Sequence, residues 1–256
     1  MLALVLLLGA TPEATDPTVL IPAGRFRMGD ADMPDARPVR EVAVSAFRID
    51  RSEVSVAAFE RFASGPGWGD DGCWSKEGRS WREAHPTGAG ATARASGRSA
   101  DHPVVAVSWY EAEAFCVCAG GHLPTEAQWE RAACGVDPRP APPAQESGVA
   151  WWYEEGKYGN LPGVYTHPVQ NSSPKNVFGL SDMYGNVWEW TRDAYRADGY
   201  AHAGAADPVG TGPSPWRPVR GGSYMNLPSY AGCAHREPVR PDEPRLTVGF
   251  RCVYAP

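Results

Sequence analysis

One stretch constrains this chain more than any other: Gly179-Leu180-Ser181-Asp182-Met183-Tyr184-Gly185-Asn186-Val187-Trp188-Glu189-Trp190. A Gly-Asn pair between apolar runs supplies the positive φ angles that a tight turn requires. From Val187 the residues alternate, so Val187 and Glu189 share one face of an extended segment while Trp188 and Trp190 share the other. The spacing predicts that Glu189 leaves the turn opposite the tryptophans, close to the backbone carbonyls of Gly185 and Val187. Carboxylates mixed with main-chain carbonyls on an irregular loop are the ligands a hard cation such as Ca²⁺ takes. The other reading is a Trp-rich hairpin in which Asp182 and Glu189 satisfy buried amides. The spacing is not that of an EF-hand.

The rest of the chain suits a fold built around such loops. Its 256 residues include 28 glycines, 25 prolines and 10 tryptophans, which favours irregular backbone with aromatic side chains filling the gaps. The formal net charge is −6, with no basic stripe to neutralise phosphates, so a nucleic-acid partner is not expected. The N-terminal run Met1 to Ala10 is too short to span a bilayer but long enough for a signal-peptide core, and Thr11 to Pro17 reads as a linker after cleavage. This predicts a leader and linker over 1–17, one mature domain over 18–256, no transmembrane anchor and a periplasmic or secreted location. Six cysteines, an even set in an exported chain, predict disulfides; Cys116-Val117-Cys118 is not the C-x-x-C of zinc or redox sites.

In order, Val19 to Gly29 and Val39 to Asp50 each read as a strand. Ser55 caps a short helix carrying Val56, Phe59 and Phe62, which Gly65-Pro66-Gly67 stops. Gly67 to Ser99 reads as a long surface insertion tied down at Cys73. Two capping boxes, Ser108-Trp109-Tyr110-Glu111 and Thr125-Glu126-Ala127-Gln128, start the two best-signalled helices. The first should bury Ala112, Phe115, Cys116 and Ala119, the second Trp129, Ala132 and Ala133.

Taken together, several blocks resemble the formylglycine-generating-enzyme-like (sulfatase-modifying factor) domain family. They are Ile21-Pro22-Ala23-Gly24 with Phe26 and Met28-Gly29; Pro103-Val104-Val105 with Val107-Ser108-Trp109; Leu123-Pro124-Thr125-Glu126-Ala127 with Trp129-Glu130; Phe178-Gly179-Leu180 with Gly185 to Trp190; Arg220-Gly221-Gly222-Ser223; and Gly249-Phe250-Arg251. The resemblance implies a single irregular α+β domain, related to the C-type lectin fold, with little regular secondary structure. It also implies structural Ca²⁺ held by Asp182, the carbonyls of Gly185 and Val187, and Glu189, with a second calcium site at Asn160 and Leu161. For the cysteines it implies Cys116 with Cys252 and Cys134 with Cys233, leaving Cys73 and Cys118 for each other or free.

The same resemblance marks a departure. Oxidising members of the family bind Cu(I) through two cysteines after the Gly-Gly-Ser block, and here those positions carry Asn226 and Ala231. Soft thiolates are what Cu(I) requires, so copper is not expected. Cys233, the nearest sulfur, reads as half of a cystine. Ser223 has no nucleophile elbow around it and is a substrate contact at most, with Tyr224 beside it. His102 and His122 share no metal-ligand spacing with another His or Cys, and His235, near Arg236 and Arg240, reads as a neutral or hydrogen-bonded structural histidine. The implied function is a binding or accessory module holding a peptide, protein or small molecule in a lectin-like groove. The alternative is a modifying enzyme of the same fold acting on a peptide or peptide-like metabolite, including formylglycine formation on sulfatases through Cys233.

Overall fold

A computed structural model describes residues 16–88, 99–136, 150–151 (backbone), 166–169, 175–226 and 232–256. The predicted leader and the Asn160–Leu161 pair therefore lie outside the described residues. Asp16, at the end of the expected linker, is tied down by Thr18 and Arg48.

Each of the two long predicted strands is divided. The first becomes β1 (Thr18–Ile21) and β2 (Gly24–Met28), the second β3 (Arg40–Val44) and β4 (Phe47–Asp50). Pro22 has no amide hydrogen to continue a ladder, and the halves pair differently: β1 with β4 and β2 with β3. The C-terminal strand β11 (Val253–Tyr254) adds to the other edge of β4, so Ile49 lies between Val19 and Val253.

Helix α1 (Val56–Ala63) starts at Ser55, whose hydroxyl accepts from the Ala58 amide. The expected stop contains a short helix, α2 (Pro66–Gly69). The expected surface insertion is a correction. It carries α3 (Lys76–Ala84) and buries Trp74 and Trp81, whose rings stack 6.4 Å apart against the core. Gly and polar residues dominate that segment's composition, but two large rings are enough to hold it down. The predicted boxes open α4 (Trp109–Cys118) and α5 (Glu126–Cys134), with reciprocal side-chain to backbone bonds at both caps. On α4 the buried face holds Ala112, Ala114 and Cys116; Ala119 is outside it because the helix ends one residue earlier.

The hairpin stretch forms β6 (Tyr184–Gly185), parallel to β5 (Ala150–Trp151), and then β7 (Trp188–Trp190). Strand β7 is interior to a mixed sheet completed by β8 (Arg217–Arg220), β9 (Arg236–Val239) and β10 (Val248–Gly249), in the order β10-β7-β8-β9; α6 (Gly199–His202) lies in the β7–β8 connection. Two apolar clusters result. One gathers Phe59, Trp74, Trp109, Trp188, Trp190 and Phe250, the other Ile21, Phe26, Phe47, Trp129, Leu180 and Met183. Short strands and abundant loops thus give a single irregular α+β domain. Among the described residues no helix is long and apolar enough to cross a membrane. All six cysteines are paired: Cys73 with Cys118, Cys116 with Cys252 and Cys134 with Cys233.

Candidate functional site: the hairpin and the Gly-Gly-Ser turn

The hairpin turn takes the predicted geometry, with φ of 87° at Gly185 and 55° at Asn186. Asp182 also has a φ of 55°. The alternation holds as well. Trp188 and Trp190 enter the first cluster, while Glu189 points toward Trp129 of the second. What Glu189 does there differs from the expectation. Its carboxylate receives Arg251 in a two-point pair, Nε to Oε2 at 2.8 Å and Nη2 to Oε1 at 2.6 Å, and the Trp129 indole donates to Oε2 at 2.8 Å. Arg251 also donates to the Ser181 carbonyl. Both oxygens of Glu189 are thus hydrogen-bonded, to Arg251 and to Trp129.

Asp182 instead faces residues that no spacing rule singled out. Its Oδ1 lies 2.9 Å from His167 Nε2, and its Oδ2 is buried with no hydrogen-bond partner. The Asn186 side chain accepts from the His167 amide and donates to Glu53 Oε1 at 3.0 Å. Glu53 Oε2 is likewise buried without a partner. Burial, with the Asp182 carboxylate next, pushes Glu53 well above the ordinary glutamate range. His167 sits above its usual value against the pull of burial, because it bonds to Asp182. Glu53 precedes α1, far from the hairpin in sequence, so only folding joins it to the hairpin.

Above this cluster lies the Gly-Gly-Ser turn. Gly185 donates to the Gly221 carbonyl and Tyr224 to the Asn186 carbonyl. At Gly221, φ is 94° and a Cβ would meet Trp129 at 3.0 Å, which explains the glycine. The turn is anchored from below by a buried ionic network. Arg220 reaches Glu126 and Glu130, at 2.8 and 2.6 Å, and also the Tyr200 hydroxyl and the Cys233 carbonyl; Arg236 pairs with Glu126. Both glutamates of the Thr125–Glu130 block are therefore structural, placed on one side of α5 by their four-residue spacing.

Ser223 and Asn226 close on each other. Asn226 Oδ1 accepts from both the Ser223 amide, at 3.0 Å, and its hydroxyl, at 2.7 Å. Ser223 and Tyr224 are buried, and the exposed side chain of the turn is Met225. Cys233, also buried, is held in its cystine with Cys134. Of the catalytic candidates of the sequence, Ser223 is thus bonded to Asn226 and Cys233 to Cys134. Ala231 lies outside the described residues. The three histidines weighed from the sequence make other contacts. His102 bonds Thr166 and His122 the Leu123 carbonyl, while burial lowers His235, which packs against Trp188. Among the described residues no group of three or more His, Cys, Asp or Glu gathers as a metal cluster. An open depression of about 400 Å³ lies elsewhere, between Arg196, His202 and Thr211.

Comparison with known proteins agrees with this arrangement. The Sulfatase-modifying factor enzyme 1-like domain matches residues 7–256. The formylglycine-generating enzyme of Streptomyces coelicolor is 34% identical over 286 residues, covering 95% of this chain and 90% of its own. That of Bos taurus is 33% identical over 290 residues, covering 95% and 76%. Among solved structures, PvdO from Pseudomonas aeruginosa superposes with a TM-score of 0.70 at 21% identity, covering 93% of this chain and 94% of its own, a likeness of fold. With that domain matched over nearly the whole length and relatives of this identity, the chain belongs to the FGE-sulfatase, or sulfatase-modifying factor enzyme 1-like, family.

Proposed function

We propose that this protein is an exported family member without copper-dependent formylglycine synthesis, acting as a binding or accessory module for a peptide, protein or small ligand. One observation carries the proposal. Every sulfur of the cysteines is committed to a cystine, and the first position where the resemblance expects a copper thiolate is Asn226, whose oxygen is already taken by Ser223. An amide oxygen is a hard, weak donor for Cu(I), and a lone thiol released from one cystine would still be a single ligand. The donor set does not fit copper. Three cystines are compatible with an extracytoplasmic location, where such bonds persist. The exposed Met225, over the buried Ser223 and Tyr224, supports a contact surface at the tip of the Gly-Gly-Ser turn.

The test supplies purified protein, Cu(I), O₂ and a Cys-x-Pro-x-Arg peptide, and follows the peptide mass. No formylglycine product is expected. Turnover lost in Cys233→Ala would overturn the proposal in favour of an oxidase using that sulfur. Turnover kept in that variant would overturn the ligand argument as well.

The hairpin is further proposed to hold Ca²⁺. Asp182 Oδ2, a buried carboxylate oxygen without a partner, fits a hard cation, and the carbonyls of Gly185 and Val187 are the main-chain oxygens the family resemblance implies beside it. Glu189, given to Arg251, would contribute mainly through charge. When bound, the ion would supply rigidity to the turn under Tyr224. Ca²⁺ at 100 times its dissociation constant should stabilise the native state by about 2.7 kcal/mol. The melting temperature should therefore rise with Ca²⁺ over chelator in the wild type and much less in Asp182→Asn; equal curves in both proteins would remove calcium from the account.

A further inference from the structure

Helix α5 carries an arginine that the fold buries and leaves unanswered. Arg131 is 5% exposed, yet its Nε and Nη1 are buried with no hydrogen-bond partner. The other buried arginines among the described residues all have carboxylates: Arg220 takes Glu126 and Glu130, Arg236 takes Glu126, and Arg251 takes Glu189. Beside Arg131 no carboxylate of the described residues stands, and burial lowers its guanidinium from the ordinary arginine value. Two features favour a cation there. Arg131 lies in the last turn of α5, where main-chain carbonyls attract positive charge, and its guanidinium carbon is 5.5 Å from the centre of the Phe178 ring. Neither gives an N–H an acceptor, so the buried guanidinium loses its hydration without a hydrogen bond in exchange.

The surroundings of Arg131 are open and apolar. At Gly24, the start of β2, a side-chain carbon would lie 3.4 Å from Arg131 Nη2, so the glycine leaves a methyl-sized gap beside the guanidinium. Val136 is 58% exposed and Val177 80%, the most exposed large apolar side chain of the described residues. Both sit at the end of α5. A Cβ on Gly135 would meet Val177 at 3.7 Å, and the Val136 carbonyl accepts from the Arg27 amide of β2. The Asn176 side chain donates to the Ala132 and Ala133 carbonyls, which fastens the Val177–Phe178 segment to the helix. Arg27 and Lys175 are exposed nearby, and no ion pair of the described residues takes either. In a chain of net charge −6 this end of α5 is basic.

We infer that this end of α5 is a docking surface for an acidic peptide segment of a partner protein. One carboxylate of the segment reaches Arg131 beside Gly24, and its apolar neighbours cover Val136 and Val177. A guanidinium presents paired N–H groups that match the two oxygens of a carboxylate. The exposed valines favour an acid flanked by apolar side chains over a free inorganic anion. Arg27 and Lys175 add a field of the right sign for encounter. The surface shares no residue with the Gly-Gly-Ser turn or with the proposed calcium ligands, and it stands with or without them.

The experiment titrates full-length, disulfide-bonded protein into two capped, fluorescein-labelled peptides, Leu-Glu-Leu-Glu-Leu and its glutamine counterpart, and reads polarisation. The glutamate peptide should bind, more weakly as salt is added, and the glutamine peptide much less. Arg131→Met should lower affinity for the glutamate peptide roughly 30-fold or more. Free of peptide, that variant should melt at or above the wild-type temperature, because an uncompensated buried charge has been removed. Val177→Asp, at an exposed position that the fold tolerates, should lower affinity about tenfold and decides the matter if Arg131→Met does not fold. Equal affinity for the two peptides, or no binding up to about 1 mM, would overturn the inference. Arg131→Met melting clearly below wild type would overturn it too, by revealing an acceptor within the chain. Inorganic phosphate is the competitor. Displacement by phosphate with Val177→Asp binding as wild type does would reduce the surface to a simple anion site and overturn the peptide assignment.

Discussion

Replacing Arg251 with methionine should lower the free energy of unfolding by about 3–5 kcal/mol, the usual cost of breaking a buried ion pair from one side. Arg251 is fully buried and makes two bonds to Glu189 and another to the Ser181 carbonyl. Its loss leaves a carboxylate at 1% exposure with the Trp129 indole as the remaining donor. Most of the effect is the penalty on Glu189 rather than the worth of the pair, so the double variant Arg251→Met, Glu189→Gln should recover a large share of it. Arg251→Lys should not restore stability, since a single ammonium cannot reproduce the two-point geometry. Denaturant unfolding at neutral pH reads all three. A single variant within 1 kcal/mol of wild type would mean that the pair does not hold the two clusters together.

The second large effect is expected from the cystine that joins α4 to the C-terminus. Cys116 and Cys252 are 136 residues apart, and closing a loop of that length is worth roughly 5 kcal/mol in the chain-entropy model. Cys73 and Cys118 are 45 apart, for which the same model gives about 4 kcal/mol. Position widens the gap. Cys116 and Cys252 are both fully buried in the aromatic cluster, next to Arg251 and at the start of β11, whereas Cys118 is at the exposed end of α4. The Cys116→Ala, Cys252→Ala variant should therefore melt well below Cys73→Ala, Cys118→Ala, and peptide mapping without reductant should recover both pairs intact in wild type. The opposite order of melting temperatures would count against loop closure as the source of the stabilisation.

These two effects lie on elements of unequal legibility. The capping boxes at Ser108 and Thr125 were readable because their chemistry is local, three residues wide, and the same in any context. The Gly185-Asn186 turn was readable for the same reason. The strands of the N-terminal half were read too long, since alternation continues through Pro22 and across Ser45, and nothing local says that the two halves will choose different partners. The insertion with Trp74 and Trp81 was taken for surface because burial there depends on a distant helix, α4.

By itself the sequence determined the family, the capped helices, the positive-φ hairpin and the side of β7 on which Glu189 emerges, all of them consequences of residue type at short range. Its family resemblance also supplied the two cystine pairings implied for Cys116 and Cys134, and the structure settled the open pair as Cys73 with Cys118. Only the tertiary structure decided what the carboxylates do. Glu189 is three positions from Asn186 of the turn yet belongs to Arg251, which is 62 positions away, while Asp182 shares its neighbourhood with Glu53 and His167. A buried charge is placed by whichever opposite charge or donor the fold brings within about 3 Å, and that distance is fixed by packing between remote segments, which no spacing along the chain encodes.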